Sequence, residues 1–415
     1  MINFTTFVSA KKLMTTIFVN LSSMYKTTFQ PNTRIDVADA LRGIAIIGII
    51  LLHNVEHMNF YSFPEETNAL IIWLNKATWD GLFFAFGGKM YSLFAVLFGL
   101  SFFIQNDNQM QVGKDFTLRF IWRMFLLLIF GTLNTFFFNG DILFAYAVFG
   151  FLLPFAGKLN TKPLAIITCF LLLQPVEIYN LIYALLNPEY KLIKTGSLEY
   201  FKIMMESQTN GTIWECGWDS LKYGQLANLE WNIENGRMTQ LPGLFFLGLI
   251  LGRIRLFYNE KNNLKIWLGI LTISLIVFFP VSGLYNMLPQ SIERKEILSP
   301  LMLLSKSWYS LSMTFVYISI LVLLFYFSKR VNRWMMKLTF FGRASMTNYF
   351  LQSIIGALLY YGWGFALHRY CGPFFSLLIG FVMVLAQYYF CYWWFKTHSH
   401  GPVEGLWKKL TWIRK

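Results

Sequence analysis

Apolar stretches of about 20 residues recur from one end of this chain to the other, each long enough to cross a bilayer core as a helix. "MFLLLIFGTL" (124–133), "WLGILTISLIVFFPV" (267–281) and "ISILVLLFYF" (318–327) are centres of such stretches. Only 13% of the 415 residues are charged, against about 25% in a soluble domain. The 43 Phe and 14 Trp are too many for one aqueous core to hide. The fold class that follows is all-α: a polytopic transmembrane helical bundle.

Ten spans are expected, near 38–57, 82–104, 117–138, 141–157, 163–187, 241–257, 265–288, 306–327, 346–367 and 373–395. Lys and Arg concentrate in every second connection: Lys114 with Arg119 and Arg123, Lys158 with Lys162, Arg253 to Lys265, and Lys329 to Arg343. The segments between, 59–81, "NGD" at 139–141 and 188–240, are weakly charged or acidic. That alternation predicts both termini in the cytoplasm. The chain divides into an N-terminal extension, 1–33, whose Met24 is an alternative start, a transmembrane domain, 34–395, and a basic cytoplasmic tail, 396–415. Within the domain, 188–240 forms one long extracytoplasmic loop, with amphipathic helices expected over 197–208 and 218–237 as a cap on the bundle.

The net charge of +14 fits anchors beside anionic lipid; no nucleic-acid-binding signature accompanies it, so nucleic acid is not an expected partner. Cys169, Cys216, Cys371 and Cys391 lack metal or redox spacing, and a Cys216–Cys371 disulfide is left open.

Chemistry-bearing residues cluster at the two ends of the first span. "GIAIIGIILLHNVEH" (43–57) runs apolar and then carries His53, Asn54, Glu56 and His57. An ionisable group at membrane depth faces an interior or a cavity, and an imidazole there suits a general base. H-x-x-E-H also matches the inverted zinc-protease pattern, which makes an intramembrane zinc hydrolase a third reading; no third ligand is recognisable, and no metal is assigned. The other end, "RIDVADALRG" (34–43), places Arg42 one turn inside the helix, where it either snorkels or joins Arg119 and Arg123 in holding an anion. Lys89 in the second span is expected to be paired or to line a cavity. Glu177, just after the helix-breaking Pro175, reads the same way. Asp141 reads either as a helix cap or as a partner in the chemistry, and Asn348 with Gln352 as interhelical glue.

Five stretches in order, "RIDVADALRGIAIIGIILLHN", "GGKMYSLFAVLFGLSFF", "NGDILFAYAVFGFLL", "GRASMTNYFLQSIIG" and "GPVEGLWKKLTW", resemble the YeiB family of bacterial inner-membrane proteins. More distantly, the chain resembles the transmembrane acyltransferase superfamily that includes heparan-α-glucosaminide N-acetyltransferase. The resemblance matches Arg42 and Gly43 to the helix start and His53 with Asn54 to its polar end. "KATWDGL" (76–82) is similar to the stretch that carries the heparan enzyme's catalytic histidine, and Lys76 stands there in this chain, which leaves His53 as the base.

The leading expectation is an acyltransferase moving an acyl group from a CoA donor to an extracytoplasmic hydroxyl or amine. His53 would be its base, with Asn54 and Lys89 positioning the substrate and Asp141 orienting a partner. Arg42, Arg119 and Arg123 would hold the donor phosphates. Acyl-CoA is then a co-substrate with no tightly bound cofactor, and a small molecule or sugar is the acceptor. The alternative is a transporter of a small anionic or hydrophobic solute using Lys89 and Glu177 as coupling charges. Localisation in the bacterial inner membrane, contact with lipid and homo-oligomerisation complete the expectations.

Overall fold

The structure is a computed structural model that describes residues 34–191 and 196–412. The N-terminal extension with Met24, and the tail residues Arg414 and Lys415, lie outside the described residues. Helices make up the fold, with no strand among the described residues.

The first helix, α1 (Asp36–Val55), is the axis of the molecule. Its apolar residues and glycines are buried on nearly every face. After a turn at 56–68 come α2 (Ala69–Phe86) and α3 (Lys89–Gln111), separated at Gly87–Gly88, then α4 (Thr117–Thr135). Two short helices, α5 (Leu143–Gly150) and α6 (Leu153–Lys158), and a bent pair, α7 (Thr161–Leu172) and α8 (Pro175–Leu186), follow. A capping group consists of α9 (Ser197–Asn210), α10 (Ile213–Asp219), one π-helical turn and α11 (Gln225–Glu234). The chain then re-enters the bundle through α12 (Arg237–Arg253) and the long hairpin of α13 (Lys261–Ser291) and α14 (Lys295–Phe327). Short helices α15 (Lys329–Met336) and α16 (Thr339–Arg343) lead into α17 (Ser345–Tyr360), α18 (Pro373–Trp394) and a tail helix, α19 (Pro402–Thr411).

Among the described residues, five helical runs are long and apolar enough to cross a membrane: Ala69–Gln111, Thr117–Thr135, Lys261–Ser291, Lys295–Phe327 and Pro373–Trp394. The pair α7–α8, bent by 46°, makes a sixth if counted as one span. This is a helical membrane protein.

Every expected span contains helix, but three differ in form. The span expected at 82–104 is the end of α2 plus most of α3, since Gly88 at φ +74 interrupts the run. Helix α2 starts well inside the expected connection 59–81, because the Asn68 side chain accepts from the Leu70 and Ile71 amides and caps it. The expected 141–157 span is divided between α5 and α6, and 163–187 breaks where Gln174 takes φ +63 before Pro175.

Glycine sets the closest crossings. A Cβ on Gly99 of α3 would collide with the Phe245 carbonyl, and one on Gly248 of α12 with the Val96 carbonyl. Gly43 of α1 and Gly342 of α16 meet in the same reciprocal way, through Leu338 and Asp39 backbone. Without side chains at these points the backbones come into direct contact, which drives helix association where lipid is as apolar as the core.

The α9–α11 group covers the end of the bundle that holds His53: the Gly362 amide donates to Gln208, and the Asn228 side chain to the Asp141 carbonyl. The opposite end, near Arg42, is covered by α19. Its Glu404 carboxylate accepts from the Met346 and Thr347 amides and the Thr347 hydroxyl, capping α17.

Candidate functional site: a cavity along α1

One cavity of about 770 Å³ follows α1 from end to end. Arg42, Ile46, Ile49, His53 and Glu56 all line it. Their spacing of four, three, four and three residues is one face of an α-helix, so the stripe is a direct consequence of the 3.6-residue period. From Arg42 to Glu56 this face spans about 21 Å. The remaining faces of α1 pack against α3, α16, α17 and α18.

At the Arg42 end the guanidinium pairs with Asp39 and donates to the Ser101 hydroxyl at 2.7 Å. Arg34 shares the same Asp39 carboxylate, so two cations meet one anion. Arg123 lines this end too, 4.0 Å from the Trp407 ring of the tail helix, and its Nε is buried without a hydrogen-bond partner. Trp407 itself faces the cavity and donates its indole N–H to the Arg123 carbonyl at 3.2 Å. This end is basic and flanked by α19.

The middle is apolar, lined by Ile46, Ile49, Phe94, Phe98 and Leu127. His53 stands beyond it, half-buried, 4.7 Å from the Phe138 ring, with Nδ1 buried and unpartnered. Tyr146 and Tyr349 line the cavity beside it.

At the far end Glu56 accepts from the Tyr61 hydroxyl at 3.2 Å, and Arg237 packs against the rings of Tyr91 (4.3 Å) and Trp231 (4.2 Å). The chain here carries consecutive positive φ values at His57, Met58 and Asn59, and again at Tyr61. Non-glycine residues held in that region cost roughly 1–3 kcal/mol each and cluster where geometry matters for function. Asn59 and Tyr61 both line the cavity.

Of the eight residues expected to carry the chemistry, donor binding or transport, Arg42, Arg123 and His53 converge on this cavity, and five do not line it. Arg119 turns to the Trp412 ring at 4.1 Å. Asn54 is buried on the opposite face of α1, where it donates to the Ile50 carbonyl and accepts from the Tyr360 hydroxyl at 3.1 Å. Lys89 is buried at the start of α3, its amine 4.9 Å from the Tyr309 ring and 3.5 Å from the Phe83 carbonyl. Glu177 lies in the first turn of α8, against Gly236. Asp141 accepts from the Leu143 amide at 2.9 Å and so caps α5. It sits in the turn between α4 and α5, where burial pushes its carboxyl up to about 7. Its neighbours Gly140 and Ile142 line the cavity.

His57 is not on the His53 face, because α1 ends at Val55 and His57 has φ +51. Its Nδ1 is 2.7 Å from the Ser62 carbonyl, which only accepts, so the proton is on Nδ1 and Nε2 accepts from the Ser376 hydroxyl. Both ring nitrogens are used. No group of three His, Cys, Asp or Glu residues able to hold a metal ion occurs among the described residues. All four cysteines are free.

Arg237 was not singled out in the sequence. It closes "NIENGR" at the end of the long loop, where it counts as one more base among carboxylates. The signal available was the break: Gly236 at φ +65 places Arg237 as the first residue of a helix that turns into the bundle.

Residues 251–414 match the family described as protein of unknown function (DUF418). The chain is 27% identical over 414 residues to the uncharacterised protein YxaH of Bacillus subtilis (strain 168), covering 92% of this chain and 95% of that protein. It is 25% identical over 406 residues to the uncharacterised protein YeiB of Escherichia coli (strain K12), covering 90% and 95%. An uncharacterised 39.9 kDa protein from the amylase 3' region of Bacillus acidopullulyticus is 25% identical over 386 residues, covering 92% and 95%. No solved structure matches. The chain is thus YeiB-like along most of its length, and its C-terminal part, 251–414, carries the DUF418 match.

Proposed function

We propose that this protein is an integral-membrane acyltransferase that moves an acyl group from a CoA thioester on the cytoplasmic side to a hydroxyl or amine on the outer side. The observation that carries the reading is the single cavity with arginines at one end, an apolar middle and a half-buried histidine beyond it. About 16 Å of helix separates Arg42 from His53, a distance suited to an extended pantetheine arm. The phosphates of the donor would meet Arg42 and Arg123, and the thioester would lie beside His53.

Neutral His53 would then take the proton of the acceptor hydroxyl or amine as that atom attacks the thioester carbon. The carbon–sulfur bond breaks, and the CoA sulfur leaves with the electron pair and receives the proton back through the imidazolium. The ring of Phe138 and the covering α9–α11 group would keep water from competing for the acyl group. The reading takes ten spans, both termini in the cytoplasm and a bacterial inner membrane; the Lys and Arg distribution supports that orientation.

The test is transfer itself. Inside-out membrane vesicles given labelled acetyl-CoA should accumulate acylated product, and His53→Ala should lower the rate by about 100-fold or more. A His53→Ala rate equal to wild type would remove the histidine from the chemistry. Solute transport is the second reading, favoured by the broken helix at Gln174–Pro175 with Glu177 in its first turn. Solute flux in liposomes without any acyl donor would replace the acyltransferase reading with it.

A further inference from the structure

The far end of the cavity holds an arginine whose guanidinium makes no direct bond to a carboxylate, although Glu56 and Glu234 line the same end. Arg237 lines the cavity, its guanidinium over the rings of Tyr91 and Trp231, and no ion pair or hydrogen bond to a protein acceptor involves it among the described residues. Those carboxylates bond to other groups: Glu56 accepts from Tyr61, and Glu234 accepts from the Ser197 hydroxyl at 2.6 Å. A guanidinium carries five donors in a planar fork, and in half-buried Arg237 no protein acceptor takes them up. Stacking on aromatic rings satisfies its face but not its edge, and the edge is what matches a carboxylate or phosphate in a bidentate pair. Arg237 also begins α12, whose first amides have no side-chain cap, so the positive helix end adds to the field.

From this we infer that Arg237 is the anchor of an oxyanion subsite: the outer-end ligand of the cavity bears a carboxylate or phosphate, which docks edge-on to the guanidinium. The inference rests on the acyl-transfer reading only in giving that ligand the role of acceptor, its hydroxyl or amine directed at His53. The site discriminates by charge, because an anionic ligand gives the guanidinium edge a paired acceptor that a neutral ligand lacks. Glu56, Asn59 and Tyr61 then face the uncharged part of the same molecule.

Binding without any acyl donor tests it. Full-length protein in a neutral detergent is titrated calorimetrically with glucuronate, glucose 1-phosphate, short-chain phosphatidylglycerol and glucose. Wild type, Arg237→Lys, Arg237→Gln and Arg42→Gln are compared, each first shown to be monodisperse and thermally folded. The expected result is binding of at least one anionic probe about tenfold or more tighter than glucose. That preference should be lost in Arg237→Gln, partly kept in Arg237→Lys and unchanged in Arg42→Gln. Which anionic probe binds separates a carboxylate, a soluble phosphate and a lipid phosphate. Folded wild type binding no anionic probe, or glucose equally well, overturns the inference. So does binding that survives Arg237→Gln and disappears in Arg42→Gln, which would move the anion to the other end. Failure of the acyl-transfer reading leaves a different mark, the absence of CoA binding at Arg42.

Discussion

At the scale of single residues, the account rests on the difference between side chains that reach the cavity and those that only stand near it. His53 and Asn54 are adjacent in the chain but occupy opposite faces of α1, one toward the cavity and one toward Tyr360. Replacing Asn54 by Ala should therefore act through stability, by about 1 kcal/mol from the lost Tyr360 hydrogen bond, with little loss of activity per folded molecule. Thermal unfolding measured beside activity separates the two effects. Asp141 gives a pH signature. Burial pushes its carboxyl up from the ordinary 3.8 to about 7, so the native state holds the proton more tightly, and stability falls as pH rises across that interval. Asp141→Asn keeps an oxygen for the Leu143 amide and removes the titration. The variant should melt above wild type at pH 8, and the gap should close at pH 4; a constant gap would refute the assignment. His53 and Arg42 were legible in the sequence because an ionisable residue in an apolar run demands an explanation. Arg237 was not, because in a polar loop an arginine demands none until the fold turns it inward.

At the scale of elements, the bundle is legible wherever a helix faces lipid and obscure where it faces another helix. The hairpin α13–α14 is apolar along its length and stood out at once, whereas the break between α2 and α3 depends on one glycine at φ +74. The glycine crossings give a paired prediction. Gly99→Ala should cost about 1–3 kcal/mol, because the new methyl meets the Phe245 backbone carbonyl, which cannot move aside as a side chain would. Gly269→Ala, on α13 with open space around it, should leave the melting temperature unchanged or raise it. The tail is the other case where composition says little: it reads only as basic, His398 within it is exposed, and α19 docks through Glu404, Trp407 and Trp412. Loss of the three bonds at Glu404 in Glu404→Ala should cost about 1–2 kcal/mol at the start of α17 and expose the tail to protease. Limited proteolysis with C-terminal detection measures this directly; a tail as resistant as wild type would mean that the two tryptophans alone hold it.

At the scale of the whole molecule, the geometry is that of a passage flanked by α19 beside the arginines and by α9–α11 beyond His53. The stripe Arg42, Ile46, Ile49, His53, Glu56 makes α1 the ruler of that passage. The charge alternation behind the ten-span reading is testable by cysteine labelling: a cysteine at Lys222 should react with a membrane-impermeant thiol reagent in intact cells, and one at Lys408 only after permeabilisation. Calorimetric titration of purified protein with CoA and acetyl-CoA asks whether the arginine end holds a CoA donor. The account predicts saturable binding to wild type, weakened about tenfold or more by Arg42→Ala and by Arg123→Ala, and little changed by His53→Ala. Folded wild type that binds neither ligand, or arginine variants that bind as tightly as wild type, would contradict it.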